Sequence, residues 1–531
     1  MCLWVIVVIR VKQVKVSVKN DNVSDLYGAL VRKLRINVND IVKVDVVKKS
    51  IDARHKDNVC FVYEVDVEVK DLSKIKFDND VTMSVSSKYD FVPSGDVVLK
   101  SRPIVVGSGP CGLFCSYFLA KHGFKPIVIE RGEDMDSRVK TVSDFWNGGK
   151  FNSNSNVQFG EGGAGTFSDG KLSTQIKDKN NRINEVLNIF VKNGAPSEIL
   201  YDFMPHIGTD MLRDVVKNMR NEIISMGGEF RYNSCLNDIN VVDGRVKSIV
   251  VNDEVINCDL LVLAIGHSAR DTFRMLHSKG IDMCNKPFAV GVRVMHPQDM
   301  ISYNQYGDFY KYLRPASYKL TYNTSSGRGV YSFCMCPGGY VVNASSEEGR
   351  LVVNGMSNHD RESGIANSAI VVTVNESDYG FNLFDGVKFQ EHLESMAYKI
   401  GKGSIPIQKY GDYVNCVKSS SFGKILPKIK GKYMFSDLNL LFNDDLNGSI
   451  KEAMEYFGNR IKGFNDSNTI MAGIESRTSS PVKIIRDDNF ESNVSGIYPA
   501  GEGCGYAGGI VSAAVDGIKV FESITSKYIV K

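Results

Sequence analysis

Three glycines and one acid carry the strongest chemical signal in the sequence. Gly107, Gly109 and Gly112 stand at the G-x-G-x-x-G spacing, with Pro110 between the second and third, and Glu130 follows 18 residues after Gly112. These residue types at this spacing suit a pyrophosphate ligand. Gly107 permits a sharp strand-to-helix turn, Gly109 lets the backbone approach phosphate oxygens, and Gly112 lets a helix pack tightly on a sheet. A helix N-terminus placed there offers unpaired N–H groups and a partial positive charge. Glu130 is placed to accept hydrogen bonds from ribose hydroxyls. A glycine-rich turn in an ordinary α/β domain would need the same glycines, so the surrounding elements must decide between the readings.

Those elements fall in the order a dinucleotide fold requires. Ile104-Val105-Val106 is a β-branched run suited to a buried parallel strand. An apolar helical segment over residues 113–120 ends before Gly123, a good helix stop. Ile127-Val128-Ile129 forms the next strand and ends on Glu130. A second glycine-dense stretch, residues 156–172, includes Gly163. Its Gly170-Lys171 is followed by Leu172, which argues against a kinase-type phosphate cradle. Its backbone N–H groups could still wrap a cofactor's phosphates or ring. Residues 259–267 form an apolar strand that stops at Gly266 and His267, and such a strand belongs in mid-sheet, with its glycine end beside the first loop. Near the C-terminus a short strand runs into Gly501 and Glu502, and Gly508-Gly509-Ile510 opens a helix.

Composition sets the outer limits. The 531 residues suffice for two or three domains, and 43% hydrophobic with 24% charged content is ordinary for a soluble globular chain. A net charge of +3 gives no strong electrostatic footprint for nucleic acid or membrane. The 11 cysteines are odd in number and scattered without a Cys-x-x-Cys, which reads as a cytoplasmic protein with reduced thiols. The apolar opening Leu3-Trp4-Val5-Ile6-Val7-Val8-Ile9 is too short to span a membrane, and its alternating continuation reads as a first strand. Residues 1–95 read as a small α+β module of ferredoxin-like order, residues 96–286 as the first part of a nucleotide-binding domain, residues 287–465 as an inserted strand-rich substrate domain, and residues 466–531 as a return to the nucleotide-binding domain. The basic turn at residues 50–57 could touch a partner or RNA; the nearly balanced charge of its module favours a solvated loop.

Read together, the N-terminal fingerprint, the mid-chain strand ending in Ala264-Ile265-Gly266 and the Tyr498-Pro499-Ala500-Gly501-Glu502 segment resemble the glutathione-reductase-like FAD-binding superfamily. More narrowly, the chain resembles the FAD-dependent dehydrogenases called NAD(FAD)-utilising dehydrogenases. The matching segments are residues 156–172, 261–272, 329–340, 473–484 and 496–518, together with the turn at 50–57. The resemblance implies an α/β fold in which a Rossmann-like FAD-binding domain carries the inserted substrate domain. It implies non-covalent FAD but supplies no reaction; an FAD-dependent oxidoreductase exchanging a hydride with a small-molecule substrate is the first reading, and NAD(P)H could serve as a transient electron donor. The resemblance further implies that Gly107, Gly109 and Gly112 hold the pyrophosphate, that Glu130 and Arg131 meet the adenosine, and that Leu236 offers backbone contacts to adenine. Gly266 would close near the pyrophosphate, Glu502 would meet the ribityl–phosphate region, and Gly508-Gly509-Ile510 would present a helix N-terminus to the flavin.

Catalytic candidates are fewer. Lys171, His267, Arg270 and Arg477 are the polar residues expected near the cofactor. Lys171 could neutralise flavin or substrate charge, and His267 could transfer a proton or be a satisfied structural histidine. Arg477 could anchor an anionic substrate or simply pair with Glu475. Cys111 and Cys115 read as core thiols. Cys334 and Cys336, one residue apart on an expected strand, should face one side, either as small hydrophobes or as two thiols over the flavin. No metal site is expected. A sensory flavoprotein that binds a partner through its N-terminal module is the alternative. A flavin-free NAD(P) dehydrogenase is opposed by the Gly501-Glu502 and Gly508-Gly509 segment.

Overall fold

The computed structural model describes residues 8–85 and 88–530. The first strand expected from the apolar opening is described from Val8 onward; residues 1–7 lie outside the described residues.

A five-stranded parallel sheet sits at the centre, in the order Ile497–Pro499, Leu261–Leu263, Ile104–Val106, Ile127–Ile129, Glu229–Arg231. Its strands are short, and all but the edge strand Glu229–Arg231 are apolar because both faces are covered. Val105 and Val262 point into one core, with the helices Pro110–Lys121 and Ile510–Lys527. Ile104, Val106, Ile127, Ile129, Leu261 and Leu263 point into the other, under an antiparallel sheet of Leu236–Val242, Arg245–Val251 and Glu254–Asn257. Asp243-Gly244 forms the hairpin turn between the first two of these strands, with both residues at positive φ (51° and 71°). Leu236 therefore lies on this second sheet rather than on the strand that follows Gly228.

A seven-stranded, mostly antiparallel sheet follows: Thr321–Asn323, Gly329–Cys336, Ile365–Val374, Phe288–Pro297, Ile470–Glu475, Ile405–Lys409, Tyr433–Phe435. The helices Asp385–Ile400 and Asp444–Arg460 bury Leu393, Ala397, Ile450 and Phe457 against it. The strand Ile470–Glu475 pairs with Phe288–Pro297, so the sheet runs past residue 465, where the sequence pattern had placed its end. The N-terminal sheet is antiparallel, in the order Ile41–Asp52, Cys60–Val69, Val8–Ser17, Val81–Met83. It carries the helix Val23–Leu34, and a three-residue 3-10 turn, Leu72–Lys74, stands where a ferredoxin-like order would place a second helix. The connector after it is tied down at Ser94 and Gly95, whose N–H groups donate to Thr525 O at 3.1 and 2.9 Å.

Candidate active site

The two glycine loops meet face to face. A Cβ on Gly163, at φ +63°, would lie 3.0 Å from Gly109 Cα, and a Cβ on Gly112 would strike Gly107 O at 1.9 Å. Only glycine lets the helix Pro110–Lys121 start this close to the sheet, and no side chain caps its first turn. At the start of the helix Ile510–Lys527, Ser512 Oγ accepts from Gly509 N at 3.0 Å and Gly508 N at 3.3 Å. Asp516 of the same helix accepts from Gly501 N at 2.8 Å and pairs with Arg486 at 2.7 Å, which fixes the end of the strand Ile497–Pro499.

Glu130 and Arg138 hold the loops in register. The Glu130 carboxylate is buried. Its Oε2 accepts from Ser108 N (3.0 Å) and Ser108 Oγ (2.7 Å), and its Oε1 accepts from Gly132 N and Gly160 N, both at 2.9 Å. It thus staples the first loop to the second. Arg138 is fully buried on the helix Met135–Trp146, which its sequence presented as merely polar. Its guanidinium donates to five carbonyls of the second loop: Asn156 (2.9 Å), Val157 (3.0 Å), Gly160 (3.2 Å), Glu161 (2.6 Å) and Gly163 (2.9 Å). Neither Arg138 nor Ser108 stood out in the sequence.

Between the loops and the seven-stranded sheet lies a cavity of about 370 Å³. Its walls include Gly107, Gly109, Pro110, Glu130, Arg131, Gly163, Leu236, Gly266, Gly501, Glu502, Gly508, Gly509 and Ile510, so the residues singled out in the sequence converge on one space. Gly112 is the exception. It lies behind the loop, where its contact is with Gly107. Lys171, His267 and Arg477 line the cavity too, as do Phe333, Cys334, Asn354 and Glu475 from the seven-stranded sheet's side.

The charged residues divide by what they already hold. Arg131 donates to Asp271 at 2.8 Å and Thr272 at 3.1 Å, and its guanidinium lies 4.6 Å from the Phe159 ring centroid. Arg477 does not pair with Glu475. Its Nε and Nη2 donate to Glu394 at 3.0 and 2.9 Å, its second Nη2 hydrogen to Glu347 at 3.3 Å, and its Nη1 donates to Ser268 and Ser346. Arg270 donates to the same Glu394 at 2.8 and 2.9 Å and does not line the cavity. Two guanidiniums drive the Glu394 carboxyl far below the usual carboxylate range, against its burial. Arg477 thus has no donor left for a substrate. Glu475 pairs with the fully buried Arg293 at 2.8 Å, and burial still pushes its carboxyl up to about 7. His267 Nδ1 lies 3.2 Å from Glu502 Oε1, and its Nε2 is buried with no partner among the described residues. Lys171 Nζ pairs with Asp169 at 3.9 Å, while Asp169 itself is held by Arg361 at 2.7 Å.

The two thiols differ in exposure. The strand register slips between Phe333 and Cys336, and Cys334 takes a φ of +43°. Cys334 turns to the cavity wall and Cys336 is buried behind it. Cys111 and Cys115 are buried in the helix core, as expected.

Residues 287–478 match the family described as FAD-dependent protein, C-terminal domain-like, and residues 105–162 match the NAD(P)-binding Rossmann-like domain. Residues 8–68 match a domain of unknown function. A Clostridium beijerinckii protein, named only as uncharacterized, is 48% identical over 98% of this chain and 99% of its own length. The chain belongs to the FAD-dependent oxidoreductase family. FAD is its cofactor and its substrate is unknown. Among solved structures it overlaps a glycine oxidase from Bacillus cereus (10% identity, 80% of this chain, 95% of that one, TM-score 0.35). It also overlaps an L-proline dehydrogenase from P. horikoshii (12% identity, 82% and 94%, TM-score 0.34). The described residues fit FAD on their own terms. Missing side chains at Gly266 and Gly508 face open space, and the starts of two helices, at Gly109-Pro110 and Gly509-Ile510, line the cavity. No described helix is long and apolar enough to cross a membrane.

Proposed function

We propose that the protein oxidises or reduces a small molecule bound between its FAD and the seven-stranded sheet. Bound FAD would supply two-electron redox chemistry, and the chain would supply binding, orientation and proton management. The supporting observation is the convergence of both glycine loops, both helix starts and the Phe333–Cys334–Glu475 wall on one cavity. In this reading Gly107, Gly109, Pro110 and Gly163 cradle the pyrophosphate, with Gly112 holding the helix in place behind them. Glu130, Arg131 and Leu236 surround the adenosine, Gly266, Gly501 and Glu502 line the middle of the cofactor, and Gly508, Gly509 and Ile510 present the second helix start to its redox end.

Lys171 is the cavity cation with the loosest pairing, so it is the group assigned to an anionic part of the substrate. Glu475, with a carboxyl near neutrality, can hold or release a proton at the cavity wall. Purified protein should be yellow with FAD in equal molar amount. An anaerobic screen of amino acids, hydroxy acids, NADH and NADPH should find a donor that bleaches the flavin. Colourless protein that fails to take up FAD would refute the proposal.

A further inference from the structure

We infer that Cys334 and Cys336 form a thiol redox centre that reduces a hydroperoxide and closes as a disulfide. The inference needs only the cavity wall and goes beyond the FAD reaction. Cys334 lies on that wall with a left-handed backbone, φ +43°, which is uncommon for a residue with a side chain. The slipped register breaks the strand alternation that would have held two thiols apart on one face. Cys336 is fully buried, and its Sγ curls back to 3.3 Å from Cys334 O. A cavity-facing thiol thus has a second, sheltered thiol directly behind it.

The surroundings favour the thiolate at Cys334. The Cys336 S–H stabilises it most, and Arg293 and Lys171 add positive charge; burial and Asp169 oppose them. The balance holds Cys334 below the usual thiol range and Cys336 well above it, so the two divide the roles of attacking and resolving sulfur. Arg293 also donates to Cys334 O at 3.2 Å, which fixes the bulge, while Glu475 pairs with Arg293 from the adjacent strand.

The chemistry balances as follows. The Cys334 thiolate attacks one oxygen of the O–O bond and forms an S–O bond. The other oxygen leaves as hydroxide or alkoxide and takes a proton from solvent. Sulfur loses two electrons and the O–O bond gains them. Cys336 then loses its proton and attacks the Cys334 sulfur, the S–S bond forms, and the hydroxyl leaves as water. A small dithiol reverses the disulfide.

The test uses the full-length protein as isolated, with its thiols reduced. Iodoacetamide at about pH 6 should label Cys334 at least about tenfold faster than the exposed Cys416. Limiting hydrogen peroxide should then remove two hydrogens from the peptide holding residues 334 and 336, and dithiothreitol should restore them. In Cys336→Ser, peroxide should stop at a sulfenic acid on Cys334 that dimedone captures. Labelling of Cys334 no faster than Cys416, or peroxide oxidation confined to other cysteines, overturns the inference. The labelling profile and the peptide masses come from the unaltered protein, so a variant that fails to fold does not affect them.

Discussion

Replacing Arg138 by methionine should unseat the second glycine loop and release the cofactor. Of the five carbonyls that Arg138 serves, three keep another donor. Gly160 O accepts from Gly163 N at 2.9 Å, Glu161 O accepts from Thr166 Oγ1 at 3.4 Å, and Gly163 O accepts from Thr166 N at 3.4 Å. Asn156 O and Val157 O have no other donor among the described residues. An unsatisfied buried acceptor costs about 1 to 3 kcal/mol. Two of them, with the three weakened bonds, put the loss at about 4 kcal/mol, roughly a thousandfold in the population of the ordered loop. For a unit of this size, that lowers the thermal midpoint by about 10 °C. Burial brings the guanidinium down to about 10, so it remains charged at neutral pH and loses nothing there to titration. Arg138→Lys separates charge from geometry: an ammonium has three donors and no planar fork, so it should rescue only part of the loss. FAD content after desalting and the midpoint with and without added FAD are the readouts. An Arg138→Met protein that keeps full FAD and a midpoint within about 2 °C of the parent would refute the reasoning.

Four further outcomes are expected. Gly112→Ala must place a Cβ 1.9 Å from Gly107 O, so the helix start shifts and FAD should be lost on desalting, as the flavin absorbance will show. Glu394→Ala strands two guanidiniums in the interior and should cost about 3 to 5 kcal/mol in urea unfolding. The Glu475 carboxyl is raised to about 7, so between about 4.5 and about 7 the folded chain keeps a proton that the unfolded chain has released. Stability should therefore fall as pH rises through that window, by about 3 kcal/mol in all, and Glu475→Gln should flatten that slope in a series of thermal scans. Lys171→Met should raise about tenfold the concentration of an anionic donor needed for half-maximal flavin reduction, with FAD content unchanged.

The sequence disclosed the parts of this site that are conditions on the backbone and concealed the parts that are conditions on partners. Gly107, Gly109 and Gly112 act through their own conformation and closeness, so their spacing reads directly, as do the short strands on either side. Arg138 and Arg477 act through groups that only the folded chain brings near. The carbonyls held by Arg138 come from a loop beginning 18 residues downstream, and the carboxylate held by Arg477 lies 83 residues away. Hence Arg138 went unremarked in the sequence, and Arg477 was left between anchoring an anionic substrate and pairing with Glu475. The two cysteines are a different case. Strand alternation is a rule about regular register, and the register slips between Phe333 and Cys336. The same slip makes those thiols chemically distinct, one at the wall and one behind it.

That contrast bears on where specificity resides. Arg131, Arg138, Arg270, Arg293 and Arg477 all have protein acceptors, so the arginines around the cavity serve its shape. The groups with capacity to spare are Lys171, the Cys334 thiol, the carboxyl of Glu475 and His267 Nε2, which come from the second glycine loop, two strands of the seven-stranded sheet and the turn after the strand Leu261–Leu263. None belongs to the first glycine fingerprint. If the nucleotide loops hold the cofactor as proposed, the choice of substrate rests with these few side chains.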